Sequence, residues 1–264
     1  MSESNGIVRI AALGDLHHTR STEMSAREVL SAAGREADVL LLCGDLTDHG
    51  LVEEAQDLAR EIHSCVSIPV VAVLGNHDFE SGKQEEIKKV LSENGIRVLD
   101  GEAVEIKGVG FAGVKGFCGG FGKRALGPWG EDIIKHFVRE AVDEALKLES
   151  ALARLRGRPT IAVLHYSPIQ ETVEGEPVEI FAFLGSSRLE EPLSRYPVQA
   201  VFHGHAHRGQ PEGKTAHGVP VFNVCIQLLR QSYPDRPPFR MFEVQVGEST
   251  RRQAPGPKRQ LAAQ

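Results

Sequence analysis

Three apolar runs in the first third of the chain each stop at a glycine and then turn polar. They are "IAALGDLH" (10–17), "VLLLCGDLTD" (39–48) and "VAVLGNHD" (71–78). The first polar positions, Asp15, Asp45 and Asn76, follow one another at steps of 30 and 31 residues. A strand–helix–strand unit needs about 30 residues. The stretches between, "MSAREVLSAAGREA" (24–37) and "VEEAQDLAREIHSC" (52–65), carry apolar residues at helical spacing. The runs 7–13, 38–43 and 69–74 therefore read as parallel strands buried on both faces. Parallel strands joined by helices bring their carboxyl ends to one edge, so the three polar tips are expected to converge.

Two later runs follow the same rule. "PTIAVL" (159–164) leads into His165, and "PVQAVF" (197–202) leads into "HGHAH" (203–207). Residues 96–114 alternate apolar and polar with glycines between, which predicts antiparallel hairpins. A long amphipathic helix is expected over 131–155, ending near Gly157 and Pro159. "GVPVFNVCI" and "FRMFEVQV" read as late strands. The residues from 247 lack apolar periodicity, so the reading is one domain over 1–246 and a disordered tail over 247–264.

Composition narrows the function. A 264-residue chain with 41% hydrophobic and 25% charged residues has the make-up of a globular protein. A formal net charge of −6 and a pI near 6.0 disfavour a long nucleic-acid surface, although a short nucleic acid stays open. No run of about 18 apolar residues suggests a membrane span, and "MSESNGIVRI" has no signal-peptide pattern. Cys43, Cys65, Cys118 and Cys225 are far apart and form no Cys-x-x-Cys pair. They read as small buried hydrophobes in a reducing compartment, which makes the cytoplasm the expected location.

The strand tips collect Asp15, His17, Asp45, Asn76, His165, His205 and His207, with His77 beside them. Carboxylate, amide and imidazole donors without a thiolate suit Mn, Fe, Co or Zn better than Ca or Mg. Seven donors exceed one tetrahedral zinc site and suit two adjacent ions sharing a carboxylate, with Asp45 in the middle as the natural bridge. Singly, a polar residue beside a glycine turn is a capping device. Several such turns together have no folding explanation.

"GDLH" (14–17), "GDLTD" (44–48), "GNHD" (75–78), "LHYSP" (164–168) and "GHAH" (204–207) resemble the signature of calcineurin-like metallophosphoesterases, in order and spacing. The resemblance spans residues 7 to about 225 and implies a four-layer α/β/β/α sandwich with two mixed β-sheets. It implies that Asp15, His17, Asp45 and His207 hold one divalent metal. Asp45, Asn76, His165 and His205 would hold the other. His77 matches the family's catalytic histidine, which faces substrate without binding metal, and Asp78 is expected to orient that imidazole. The implied chemistry is attack at phosphorus by a hydroxide that bridges the two ions, with His77 as general acid or charge stabiliser.

Phosphoprotein phosphatases of the family carry an arginine and a glutamate where this chain has His49 and Asp78. The chain more closely resembles the compact bacterial and archaeal phosphoesterases, so a phosphodiesterase of small phosphoesters is the first reading. A phosphomonoesterase acting on nucleotides or sugar phosphates is the alternative. A non-catalytic metal-binding scaffold is the reading outside enzymes. His18, Lys123, Arg124 and Arg188 are candidate substrate contacts, and Asp48 a candidate support for the metal ligands. The segment 171–188 reads as a lid or a subunit contact, and His203 as a satisfied buried histidine. Oligomeric state is not legible in the sequence.

Overall fold

The computed structural model describes residues 6–19 and 26–247. Readings on residues 24–25 and on the tail from 248 lie outside the described residues. In chain order the elements are β1 (Gly6–Leu13), α1 (Ala26–Glu36), β2 (Val39–Cys43), α2 (Val52–Cys65), β3 (Val70–Val73) and α3 (Gln84–Glu93). There follow β4 (Arg97–Val98), β5 (Glu102–Ile106), β6 (Val109–Gly113), α4 (Asp132–Ala153), β7 (Thr160–Val163) and α5 (Phe181–Leu184). The last are α6 (Glu190–Arg195), β8 (Val198–His203), β9 (Glu212–Lys214), β10 (Pro220–Asn223), α7 (Ile226–Ser232) and β11 (Arg240–Val246).

Two mixed sheets form. One has the order β11-β1-β2-β3-β4, parallel except for β11; the other runs β5-β6-β7-β8-β10-β9, with antiparallel pairs at both edges. The alternation of side chains along each strand sorts the core into layers. In β1, Val8, Ile10 and Ala12 face the second sheet and pack with Phe111, Ile161, Phe202 and Phe222. Ala11 and Leu13 face the other way, onto Leu30, Leu58 and Leu91 of α1, α2 and α3. On the far side, Ala112, Ala162 and Val201 meet Leu148 and Leu152 of α4 and Leu193 of α6. The result is an α/β/β/α sandwich, as expected.

One local expectation is corrected. Residues 96–114 hold a single hairpin, β5–β6, because Arg97–Val98 pairs parallel with β3 in the first sheet. The β4 strand is two residues long, too short for alternation to reveal its partner. Among the described residues no helix is long and apolar enough to cross a membrane.

Candidate metal centre

The carboxyl ends of β1, β2, β3, β7 and β8 meet at one end of the sandwich. Asp15 N donates to Gly44 O (3.0 Å), His17 N to Asp45 O (3.0 Å) and His18 N to Leu46 O (3.0 Å), so the first two strand tips run side by side. The Asp15 carboxylate accepts from His205 N at 2.9 and 3.1 Å, and Asp45 Oδ1 accepts from His77 N at 2.8 Å. The glycines before these donors are there for space. A Cβ on Gly75 would overlap the Asp45 carboxylate, and one on Gly204 the Asp15 carboxylate.

Asp15, His17, Asp45 and His205 sit at φ of 58°, 43°, 47° and 71°. Among the described residues Lys107 is the one other non-glycine in this left-handed region. Each such residue costs on the order of 1–3 kcal/mol, which the surrounding fold must sustain. The strain is concentrated where the polar side chains converge.

The hydrogen-bond partners fix the imidazole tautomers. His17 Nδ1 donates to Asp48 Oδ1 (3.1 Å), so its Nε2 carries a lone pair. That Nε2 is buried without a hydrogen-bond partner, 3.8 Å from Asp45 Oδ2. His165 Nδ1 donates to Cys43 O (3.0 Å), which leaves its Nε2 lone pair 2.9 Å from Asn76 Oδ1 and 3.4 Å from Asp45 Oδ1. An imidazole nitrogen, an amide oxygen and a carboxylate oxygen thus converge, a donor set that suits a cation. His205 Nε2 donates to Phe183 O (3.0 Å), so Nδ1 is its free donor atom.

Electrostatics agree. Burial pushes His165 down to about 4, and burial with the neighbouring His165 pushes His205 down to about 3, so both rings are neutral ligands near pH 7. Burial, then the charge of Asp15, raises Asp45 to about 7. Burial also acts to raise Asp15, but the hydrogen bond from His207 (3.2 Å) and the surrounding imidazoles outweigh it and hold that carboxyl at about 2. Two crowded carboxylates, one of them driven to protonate, form a site that a bound cation would stabilise. Donor atoms within 4.8 Å of one another group as His17–Asp45–His77, Asp45–His165–His205 and Asp15–His207–Cys225. Asp45 belongs to two groups, the position expected of a bridging carboxylate. The donor groups fit divalent metal.

His77 opens the 3-10 turn His77–Phe79 with its ring about a third exposed. Its Nδ1 donates to the Asp48 carbonyl (2.6 Å), and its ring lies edge-on to His17 at 4.5 Å between centroids. Asp48 therefore grips both rings, His17 with its carboxylate and His77 with its backbone. Asp78 does not orient His77. Its carboxylate is fully buried and accepts from Leu46 N (3.2 Å), Thr47 N (2.8 Å), Thr47 Oγ1 (2.6 Å) and Gly75 N (2.8 Å), because the 3-10 turn swings it inward.

Two candidate substrate contacts are also corrected. His18 is buried against α2, with Nδ1 3.6 Å from Glu61. The Arg188 guanidinium donates to Leu126 O (2.8 Å) and borders a hollow between α4 and α6, on the outer side of the second sheet. Ser186 and Ser187 accept from Arg188 N and Gly122 N, as turn caps do. Lys123 and Arg124 lie on an exposed 3-10 turn, Gly122–Arg124. His203 is buried and satisfied as expected, donating from Nδ1 to Gly204 O (2.8 Å) and accepting from Thr172 Oγ1 (2.8 Å).

Several neighbours of the site were not singled out from the sequence. Tyr166 packs its ring 4.4 Å from that of His205. Phe183, in the 171–188 segment, supplies the carbonyl that holds His205. Lys115 places its amine 4.9–5.3 Å over the rings of Phe79, Phe117 and Tyr166. Tyr166 lies within the run "LHYSP" beside His165, whereas Phe183 and Lys115 stand in no such run and proximity alone reveals them.

Comparison with known proteins places this geometry. A "Probable cyclic nucleotide phosphodiesterase" of Rhodococcus erythropolis is 25% identical over 229 residues, covering 80% of this chain. The chain spans 65% of the length of that relative. Among solved structures, the phosphopantetheinyl hydrolase of Mycobacterium tuberculosis matches with a TM-score of 0.62 at 14% identity, over 97% of this chain and 98% of that one. The anchor in the inner membrane complex of Plasmodium matches with a TM-score of 0.51 at 10% identity, over 84% and 72%. These likenesses show a shared fold. The model of calcineurin-like phosphoesterases matches residues 8–209, from within the first strand to just past the last histidine pair, and the chain belongs to that family.

Proposed function

We propose that the chain hydrolyses phosphodiesters of small molecules at a site that holds two divalent metal ions. The observation that carries this reading is the convergence of Asn76 Oδ1 and Asp45 Oδ1 within 3.4 Å of His165 Nε2, beside the orphaned His17 Nε2. Asp15, His17, Asp45 and His207 hold the first ion; Asp45, Asn76, His165 and His205 hold the second. Mn, Fe, Zn and Co all suit this donor set. When bound, such a pair supplies a nucleophilic water near neutral pH and braces the oxygens of an in-line displacement at phosphorus.

The remaining work falls to side chains. His77, held through Nδ1 by the Asp48 carbonyl, keeps Nε2 for the substrate. As an imidazolium it donates that proton to the leaving alkoxide, or bonds a phosphoryl oxygen. Asp48 fixes the tautomer of His17, so that Nε2 is the metal-facing nitrogen. Lys123 and Arg124, on their exposed turn, offer positive charge to an incoming anion. The preference for diesters is supported by the name of the Rhodococcus relative.

Turnover of bis-p-nitrophenyl phosphate against p-nitrophenyl phosphate by Mn-loaded protein tests the reading. A preference for the diester is expected. A preference for the monoester makes the protein a phosphomonoesterase instead. Metal-loaded protein that turns over neither, nor any wider phosphoester panel, is a scaffold.

A further inference from the structure

Cys225 lies two residues beyond β10 and beside the carboxylate at the first strand tip. Its placement is built by the backbone. Gly14 N donates to Val224 O (2.9 Å) and Ile226 N to Gly14 O (3.1 Å), which pairs Gly14 with Cys225 in a parallel bridge. Asn223 then ties this turn to the loop carrying His207. Its Oδ1 accepts from Cys225 N (3.2 Å) and its Nδ2 donates to Ala206 O (2.7 Å), with the whole side chain buried. The outcome is that one carboxylate oxygen of Asp15, one ring nitrogen of His207 and Cys225 Sγ lie within 4.8 Å of one another. Gln227 spans the same corner, accepting from Sγ (3.0 Å) and reaching Asp15 O with Nε2 (3.4 Å).

The other cysteines are placed differently. Cys43 is buried among the facing strands, Cys118 donates to Phe183 O (3.3 Å), and Cys65 ends α2. Among the described residues none of these three shares a donor group with the site.

We infer that Cys225 is a sulfur donor to the metal ion held by Asp15 and His207. The inference rests on the two-metal reading above and adds a ligand to it. On binding, the thiol gives up its proton to solvent, a metal–sulfur bond forms, and the hydrogen bond to Gln227 Oε1 is released. A thiolate softens a site otherwise made of oxygen and nitrogen, shifting its preference toward Zn, Co and Fe(II) and away from Mg and Mn. A coordinated thiol is deprotonated outright, whatever its acidity in the metal-free protein.

The test is the electronic spectrum of the Co²⁺-loaded full chain, with cobalt counted in the same sample. The wild type is expected to show a near-ultraviolet sulfur-to-cobalt charge-transfer band. Cys225→Ser and Cys225→Ala are expected to lose it while still binding cobalt. A variant in which Cys43, Cys65 and Cys118 are all replaced by serine, leaving Cys225 the sole cysteine, is expected to keep the band. That variant assigns the sulfur even if the position-225 variants fail to fold. Two bound cobalt ions without the band overturn the inference and leave the two-metal reading intact. A band that persists in Cys225→Ser also overturns it. Failure of the wild type to bind cobalt at all overturns both.

Discussion

His77 separates the task of holding a metal from that of moving a proton. Its Nδ1 is committed to the Asp48 carbonyl and its ring is partly exposed, unlike the buried rings of His165 and His203. His77→Ala is predicted to lower kcat on the preferred ester by about 10²–10⁴-fold, the contribution of a positioned acid. Elemental analysis of the same variant should return the wild-type metal content. Loss of one equivalent would make His77 a ligand and end the division of roles. Asp15, Asp45, Asn76 and His205 were legible in the sequence because each follows a glycine close after a buried run, and His165 because it ends one directly. Asp78, His18 and Arg188 were not, since adjacency in sequence says nothing of which way a tight turn throws a side chain. Asp78 next to His77 looks like the second member of a dyad, and instead it closes a loop.

That loop closure belongs to the element scale. Asp78 collects backbone amides from the β2 tip (Leu46, Thr47) and the β3 tip (Gly75), and so welds two neighbouring strand ends together. Removing its carboxylate leaves four donors without acceptors, counting Thr47 Oγ1, in a fully buried place. Each buried orphan costs about 1–3 kcal/mol. Asp78→Ala is therefore predicted to destabilise the fold by roughly 3 kcal/mol or more on the same grounds. Urea denaturation checks this, and an unmoved midpoint would mean that the strand tips hold without it. The parallel strands of the first sheet were readable from unbroken apolar runs. The two-residue β4 and the β8-β10-β9 order were not, because pairing of short edge strands is decided by tertiary contact.

At the scale of the whole molecule, the strand ends of the second sheet bury His165 and His203 completely. Burial takes His203 from 6.5 to about 4, so the folded state holds it neutral. Its neutral form contributes stability that is complete above pH 6.5 and is lost as pH falls from there toward 4. His165 and His205 act in the same direction. Asp45 acts in the opposite one, since a carboxyl raised to about 7 destabilises the metal-free fold as pH rises from 3.8 to 7. His203→Gln isolates one contribution: in metal-free protein it should show a smaller loss of urea midpoint between pH 6.5 and 4 than wild type. Equal losses would place the titration elsewhere. The four layers themselves were implied by the family resemblance rather than by the apolar patterns, which specify strands and helices without saying which sheet a strand joins.

The proposed mechanism requires two cations at one end of this sandwich. Elemental analysis of wild-type protein dialysed to equilibrium against Mn²⁺ measures their number directly. Two equivalents per chain are predicted, with Asp45 shared between them. One equivalent, or none, would contradict the two-metal site and the mechanism drawn from it.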